Sequence, residues 1–283
     1  RSRRRRGRGR SVSEKAVVTG AAGFIGSHLC EALVARGMDV VGVDCFTDYY
    51  DSAIKRRHVA ALLAEPRFRL LELDLSAADP AALPEARWVF HQAAQPGVRA
   101  SWGSEFATYT RHNVLATQRL LERYKGSRGL ERVVVASSSS VYGDAERMPT
   151  GEGDLPKPFS PYGVTKLATE HLVNAYHVNF GLPSIALRYF TVYGPHQRPD
   201  MGFHRFIRAI ASGTPIQLYG DGEQTREATY VGDIVQANLL AMQSDANGVI
   251  VNVGGGERAS VNHIIGLLEQ LIERKAVIEW RER

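Results

Sequence analysis

The stretch Thr19-Gly20-Ala21-Ala22-Gly23-Phe24-Ile25-Gly26-Ser27-His28-Leu29 limits what this chain can become more than any other. It follows a short apolar run, Ala16-Val17-Val18, and opens into apolar residues at helical spacing, Leu29, Leu33 and Val34. A strand, a tight glycine turn and a helix form the setting in which a glycine loop receives a nucleotide diphosphate. Gly20 permits the turn off the strand, Gly23 admits close approach of a pyrophosphate, and Gly26 lets helix and strand pack. The helix N-terminus then offers free N–H groups and a positive dipole end to the anion. The spacing is G-x-x-G-x-x-G, not G-x-G-x-x-G, and three glycines alone suit an ordinary strand-to-helix turn equally well. Val40-Val41-Gly42-Val43-Asp44 decides between the two. It is a second apolar strand ending in an acid about 20 residues on, where a carboxylate holds the adenosine ribose hydroxyls.

The net charge of +5 invites a nucleic-acid reading, so its source matters. Residues 1–10 hold seven arginines and no acid, and subtracting seven from five leaves −2 for the rest of the chain. The basicity belongs to a tail expected to be solvated and disordered, able to touch polyanions nonspecifically. No specific nucleic-acid partner is expected. Cys30 and Cys45 make no metal-type cluster and read as buried thiols in a reducing compartment; no metal is expected. No run of 18 or more apolar residues occurs, so no membrane association is expected, and the protein reads as soluble and cytoplasmic.

Short apolar runs alternate with helical patterns through the first two thirds of the chain. Strands are expected at Phe68–Leu73, Arg87–His91, Glu131–Ala136 and Ser184–Tyr189. Helices are expected at Ser52–Ala64, Phe106–Tyr124 and Tyr162–Phe180. This alternation predicts an α/β fold with a doubly wound (Rossmann) parallel sheet. From Thr191 turn signals multiply. Helices near Phe203–Ala211, Val231–Met242 and Val261–Leu271 alternate with short strands near Ile216–Tyr219 and Val249–Val253. That pattern suits a smaller mixed α/β region covering a substrate.

Ser160-Pro161-Tyr162-Gly163-Val164-Thr165-Lys166 starts a helix on which Tyr162 and Lys166 share a face. A phenol titrating near ~10 is a poor base at neutral pH, and a neighbouring ammonium favours its phenolate. So poised, Tyr162 can take a proton from a sugar hydroxyl. The Ser137–Ser140 run emerges at the carboxyl end of a strand, where open α/β sheets bind ligands. Serines there can donate to a developing carbonyl oxygen; local backbone bonding is their ordinary alternative use.

TGAAGFIGSHL (19–29), VVVASSSSVYG (133–143), SPYGVTK (160–166), LRYFTVYGP (187–195) and GDGEQTREATYVGDI (220–234) together resemble the extended short-chain dehydrogenase/reductase family. The resemblance is to its NAD-dependent nucleotide-sugar epimerases and dehydratases, and it covers essentially the whole chain after the tail. It implies a tightly held NAD, with Gly20, Gly23, Phe24, Ile25, Gly26, Asp44, Ala93, Ala94, Tyr162 and Lys166 as contacts and Asp74 and Leu75 flanking the adenine. It implies a catalytic triad of Ser138, Tyr162 and Lys166, with Ser139 and Ser140 lining the sugar site. Asp44 and the non-basic Cys45 favour NAD over NADP.

Dehydratases of this family carry Asp-Glu where this chain has Ser139-Ser140, and the decarboxylases carry Glu at the Ser140 position. An epimerase is left. Residues 47–51 (TDYYD) and 194–201 (GPHQRPDM) resemble UDP-glucuronate 4-epimerases more than the UDP-glucose enzymes, where Asn usually replaces Thr191. Thr191 and Arg198 would hold a sugar carboxylate, the Arg through a charge-assisted, bidentate contact; a diphosphate contact or a loop salt bridge is an equal alternative for Arg198. Arg226 matches the family's diphosphate-binding arginine, next to Glu227 where Asp is usual. The expectation is therefore an isomerase acting on a UDP-sugar, UDP-glucuronate first. A UDP-glucose/galactose 4-epimerase is the alternative, and a noncatalytic NAD-binding sensor or scaffold the rival of another class. The expected layout is a basic tail at 1–14, an NAD-binding domain at 15–190 and a substrate-binding region at 191–283, C-terminally incomplete. A homodimer through a four-helix interface of 106–124 and 162–180 is expected from the family alone.

Overall fold

The computed structural model describes residues 14–144, 148–256 and 258–282. The expected arginine tail lies outside the described residues. β1 (Lys15–Thr19), β2 (Asp39–Asp44), β3 (Phe68–Glu72), β4 (Trp88–His91), β5 (Arg132–Ser138) and β6 (Ser184–Tyr189) are six strands of one parallel sheet. The seventh is β10 (Val249–Val253), and the order across the sheet is β10-β6-β5-β4-β1-β2-β3. Chain order reverses between β1 and β4, the switch point at which doubly wound sheets open a ligand crevice. Val17, Val18, Val89, Phe90 and Val133 are fully buried, as expected for strands covered on both faces.

One face carries α1 (Phe24–Ala35) and α7 (Val231–Gln243), which pack Leu29, Leu33, Ile234 and Leu239 into one cluster with the sheet. The other carries α4 (Ala116–Tyr124) and α5 (Pro161–Phe180), through Leu120, Leu121, Tyr124, Val173 and Tyr176. α5 has the expected start and stop. The Ser160 hydroxyl accepts from Gly163 N–H at 3.1 Å, Pro161 occupies the first turn, and Gly181 closes the helix at φ +66.

Two helices depart from their expected form. The one expected at Ser52–Ala64 ends as α2 (Ser52–Val59) and resumes as a 3₁₀ turn at Leu62–Ala64. The one expected at Phe106–Tyr124 begins as α3 (Phe106–Tyr109) and widens to a π-helical turn, Thr110–Leu115, before α4. The widened turn carries Asn113, which is 1 % exposed and bound on three sides by other segments. Such turns cluster at functional sites, and apolar periodicity does not signal them.

After β6 the chain forms β7 (Thr191–Tyr193), α6 (Gly202–Ser212), β8 (Ile216–Tyr219) and β9 (Thr225–Tyr230). Beyond β10 come β11 (Arg258–Ser260), α8 (Val261–Ile272) and β12 (Ile278–Arg281). β11, β9 and β7 make one small sheet and β12 with β8 another. Ile210, Ile216, Leu218, Val261 and Ile265 form a separate small core beneath them. The boundary expected at 190/191 is not a spatial divide: α7 and β10, placed by the sequence reading in the smaller region, return to the large sheet. Strands β7, β9, β11 and β12 were not anticipated, being short or interrupted by charge.

Candidate active site

A cleft of ≈ 1140 Å³ opens at the switch point, floored by the glycine loop after β1 and by Gln92–Pro96 after β4. Gly20 sits at φ +70 with its α-carbon facing Ala93; a Cβ there would stand 2.8 Å from the Ala93 nitrogen. A Cβ on Gly26 would collide with the Gly20 carbonyl. Gly23 caps α1 without a side-chain hydrogen bond, and no acid occupies the first turn. The helix N-terminus is thus left to an external anion, so the cradle fits a dinucleotide diphosphate. Gly26→Ala is expected to weaken NAD binding by at least about tenfold, the equivalent of ~1.4 kcal/mol. NAD retained on purification and the NAD-dependent rise in melting temperature measure it.

Gly20, Gly23, Phe24, Ile25, Gly26, Asp44, Asp74, Leu75, Ala93, Ala94, Tyr162, Lys166 and Arg198 all line this cleft. Ser138, Ser139, Ser140 and Thr191 stand outside its lining. The Arg226 backbone pairs with Ala259 between β9 and β11, and its side chain lies outside the described residues. Asp44 is engaged within the protein: its carboxylate accepts from Ala22 N–H at 3.1 Å and Phe46 N–H at 2.8 Å. Lys55, 7 % exposed, stands 3.8 Å from the same carboxylate and donates to Thr47. Periodicity gave no hint of Lys55, which reads as one cation among several on α2.

At the other end, Tyr162 lies edge-on to Tyr109 at 6.2 Å between ring centroids. Burial pushes its phenol up, while the Ser138 hydroxyl hydrogen-bonded to it and the Arg198 charge pull it down. The Lys166 ammonium, expected to act on Tyr162, donates to the Ala136 carbonyl at 2.9 Å, and burial lowers its pKa to about 8, with Glu170 pulling it back up. Arg198, which the sequence reading assigned to the sugar, also brings positive charge to the phenol. Ser138 accepts from Ser140 N–H at 3.2 Å and donates to the Ser140 hydroxyl at 3.2 Å, so the serine turn is self-capped.

Arg198 does not present the free fork expected of a carboxylate clamp. Its Nε and Nη2 donate to Asp200 at 3.0 and 3.1 Å, and Tyr49 donates to the same carboxylate at 3.2 Å. One edge of the guanidinium is therefore occupied from within the loop.

A buried polar chain links the two ends. Ala93 N–H donates to the Thr19 hydroxyl, which meets His91 Nδ1 at 2.7 Å; His91 Nε2 meets the Thr117 hydroxyl at 2.9 Å. Thr117 donates onward to the Asn113 carbonyl, so it accepts from His91, which fixes the neutral Nε2–H tautomer. Burial and Lys166 together push His91 down to about 3. Asn113 clamps the Gln95 backbone through both amide atoms and donates to Thr165 on α5, one residue before Lys166. Sequence spacing could not join these residues, because each lies on a different element.

Two expectations about cysteine also change. Cys30 is buried as expected, but Cys45 is exposed at the cleft mouth. With Asp74 and His112 it offers sulfur, oxygen and nitrogen donors within 4.8 Å of one another, from three segments remote in sequence.

Residues 16–254 match the model of the NAD dependent epimerase/dehydratase family. A Bacillus subtilis protein named "Uncharacterized UDP-glucose epimerase YtcB" is 44% identical over 272 residues, covering 95% of this chain and 85% of its own. The UDP-glucuronate 4-epimerase of Thermodesulfobacterium geofontis is 38% identical over 271 residues, covering 93% and 82%. The crystal structure of UDP-glucuronic acid 4-epimerase from Bacillus cereus, in complex with UDP-glucuronic acid and NAD, superposes with a TM-score of 0.90 at 43% identity, covering 95% of this chain and 86% of that one. A glycine cradle at the switch point, a half-buried Tyr162 lining the same cleft and a family match over residues 16–254 lead to one conclusion: the chain belongs to the NAD-dependent epimerase/dehydratase family.

Proposed function

We propose that this chain is a UDP-sugar 4-epimerase that interconverts UDP-glucuronate and UDP-galacturonate. The observation that carries the reading is that Tyr162, Lys166 and Arg198 line one cleft with the glycine cradle, where the Ser138 hydroxyl and the Arg198 charge both pull the Tyr162 phenol down. The substrates named for the Bacillus cereus and Thermodesulfobacterium relatives support glucuronate over glucose; the name of the Bacillus subtilis relative supports the alternative.

NAD, when bound, supplies the acceptor that removes hydride from C4 and returns it. Gly20, Gly23, Phe24, Ile25 and Gly26 would hold its diphosphate, Asp44 and Lys55 its adenosine ribose, and Asp74 and Leu75 its adenine. Tyr162 takes the C4 hydroxyl proton and gives it back, with Ser138 in the hydrogen-bond relay. Lys166, held on the Ala136 carbonyl, fixes the face of α5 from which Tyr162 projects and would hold the nicotinamide ribose. Arg198 stabilises the phenolate across the site. A 4-keto glucuronate is a β-keto acid and loses carbon dioxide when its carboxylate bond aligns with the carbonyl. Ser139, Ser140 and Thr191 offer that carboxylate neutral hydroxyls and no acid. Arg226 would meet the diphosphate. Free cysteines suit a cytoplasmic location, and exposed Phe106, Leu115, Val164 and Val178 on the α3–α5 face suit a homodimer. Among the described residues no helix is long and apolar enough to cross a membrane.

Proton NMR of the NAD-loaded protein with UDP-glucuronate and, separately, UDP-glucose tests this. The expected product is the galacto epimer of the glucuronate, with no pentose. Turnover of UDP-glucose alone would move the assignment to the glucose enzyme. Turnover of neither, with NAD bound, would favour a sensor.

A further inference from the structure

Behind the glycine loop, away from the reacting groups, three imidazoles stack face to face. The His196 ring, in the loop after β7, lies between His28 of α1 (4.6 Å, 18°) and His58 of α2 (4.2 Å, 10°). Each ring is also tied by hydrogen bonds. His58 Nδ1–H donates to the Ala22 carbonyl at 3.2 Å and His28 Nε2–H to the Pro195 carbonyl at 2.9 Å. His196 Nδ1 meets the Ser27 hydroxyl at 3.0 Å; Ser27 donates to the Phe24 carbonyl, so the shared proton belongs to His196. His196 adopts φ +64, the left-handed region that side chains rarely occupy. Strain of this kind persists only where the surroundings over-determine it. Two residues later stands Arg198, a cation acting on Tyr162, held by Asp200.

We propose that His196 is a positioning residue: the three-ring stack clamps the 194–200 loop to the glycine loop and α1, holds Arg198 in the cleft that Tyr162 lines, and lets go when the stack gains protons. The proposal rests on the reading above, in which Arg198 faces the reacting sugar. The geometry explains why protons matter. Parallel rings at contact distance cannot share more than one positive charge without strong repulsion in a partly dry setting. The charged groups facing the stack are Glu31 of α1, 3.6 Å from His28, and Arg57 of α2, beside His58. Burial, then the neighbouring His196, pushes His58 from 6.5 down to about 4. Burial and His28 also lower His196, with Glu31 opposing. The sign follows. The docked loop favours neutral rings, so docking is complete above the ordinary histidine value and weakens as pH falls below it.

Hydrogen exchange of the NAD-loaded protein, followed on peptides covering 194–201 and corrected for intrinsic rates, tests the clamp at about pH 8 and about pH 5.5. The variants are His58→Phe and His196→Phe, which keep a ring and remove titration, and His196→Ala, which removes the ring. In the wild type the loop is expected to lose protection about tenfold at the lower pH. Each Phe variant, with one lowered histidine left to titrate, should lose clearly less protection than the wild type, and His196→Ala should be unprotected at both values. The UDP-sugar KM should rise on acidification in the wild type and rise less in His58→Phe, with kcat at the higher pH unchanged. Should His196→Phe fail to fold, His58→Phe, on another element, carries the test. Equal acid sensitivity in His58→Phe, or none in the wild type, would overturn the clamp. A responsive loop without UDP-sugar turnover would leave the clamp standing and remove the proposed substrate; turnover with an unresponsive loop would do the reverse.

Discussion

Tyr162→Phe is expected to lower kcat for UDP-sugar epimerisation by about 10²–10⁴-fold, with NAD content and thermal midpoint unchanged. The substitution removes one oxygen and keeps the ring, so the edge contact with Tyr109 survives. What is lost is the titratable hydroxyl on which the Ser138 hydroxyl and the Arg198 charge both act. Those two influences work against burial, which alone would hold the phenol protonated. Product formation by NMR and NAD released on denaturation provide the two readouts. Turnover within about tenfold of wild type would place the C4 base elsewhere.

Glu170→Ala is expected to destabilise the protein by about 3–5 kcal/mol, read as a lowered urea midpoint of the NAD-loaded form. Glu170 and Arg188 have side chains 2% and 3% exposed and pair through two parallel bonds of 2.8 and 2.7 Å. Removing the carboxylate leaves the guanidinium, among the described residues, with the Tyr142 hydroxyl, the Glu152 carbonyl, the Tyr142 ring face and the exposed Glu152 carboxylate further off. The cost is that of an uncompensated buried charge, so replacing both partners with apolar residues should recover most of it. The pair also touches the chemistry. Glu170 accepts from Ser137, the residue before Ser138, and lies one turn along α5 from Lys166. Loss of stability and loss of activity should therefore appear together in Glu170→Ala, whereas Tyr162→Phe should separate them.

The sheet was legible because its strands are continuous apolar runs between turn signals, and the glycine cradle because three glycines precede an apolar strand ending in Asp44. Tyr162 and Lys166 were legible because four residues on a helix share a face. What could not be read is what those side chains turn toward. Lys166 reaches a β5 carbonyl, and Arg198, 36 positions further along the chain than Tyr162, brings a further positive charge to the phenol. One edge of the Arg198 fork is filled by Asp200, the loop salt bridge that the sequence left as an equal alternative to a carboxylate clamp without naming the partner. Asn113 and His91 look like stray polar residues in helical and strand patterns until the π-helical turn and β4 bring them together. Each of these depends on contacts between elements, which hydrophobic period does not encode.

The return of α7 and β10 to the large sheet bears on how new specificities can be assembled from relatives. A chimera joined at residue 190 would take from β6, buried along its whole length, the neighbour it pairs with from Val249 to Val253. It would also strip Ile234 and Leu239 from α1. An exchange of sugar-recognising parts must therefore leave residues 231–253 with the nucleotide-binding half and graft the segments on either side of them. What lies outside the large sheet after residue 190 is two separate segments, not one tail.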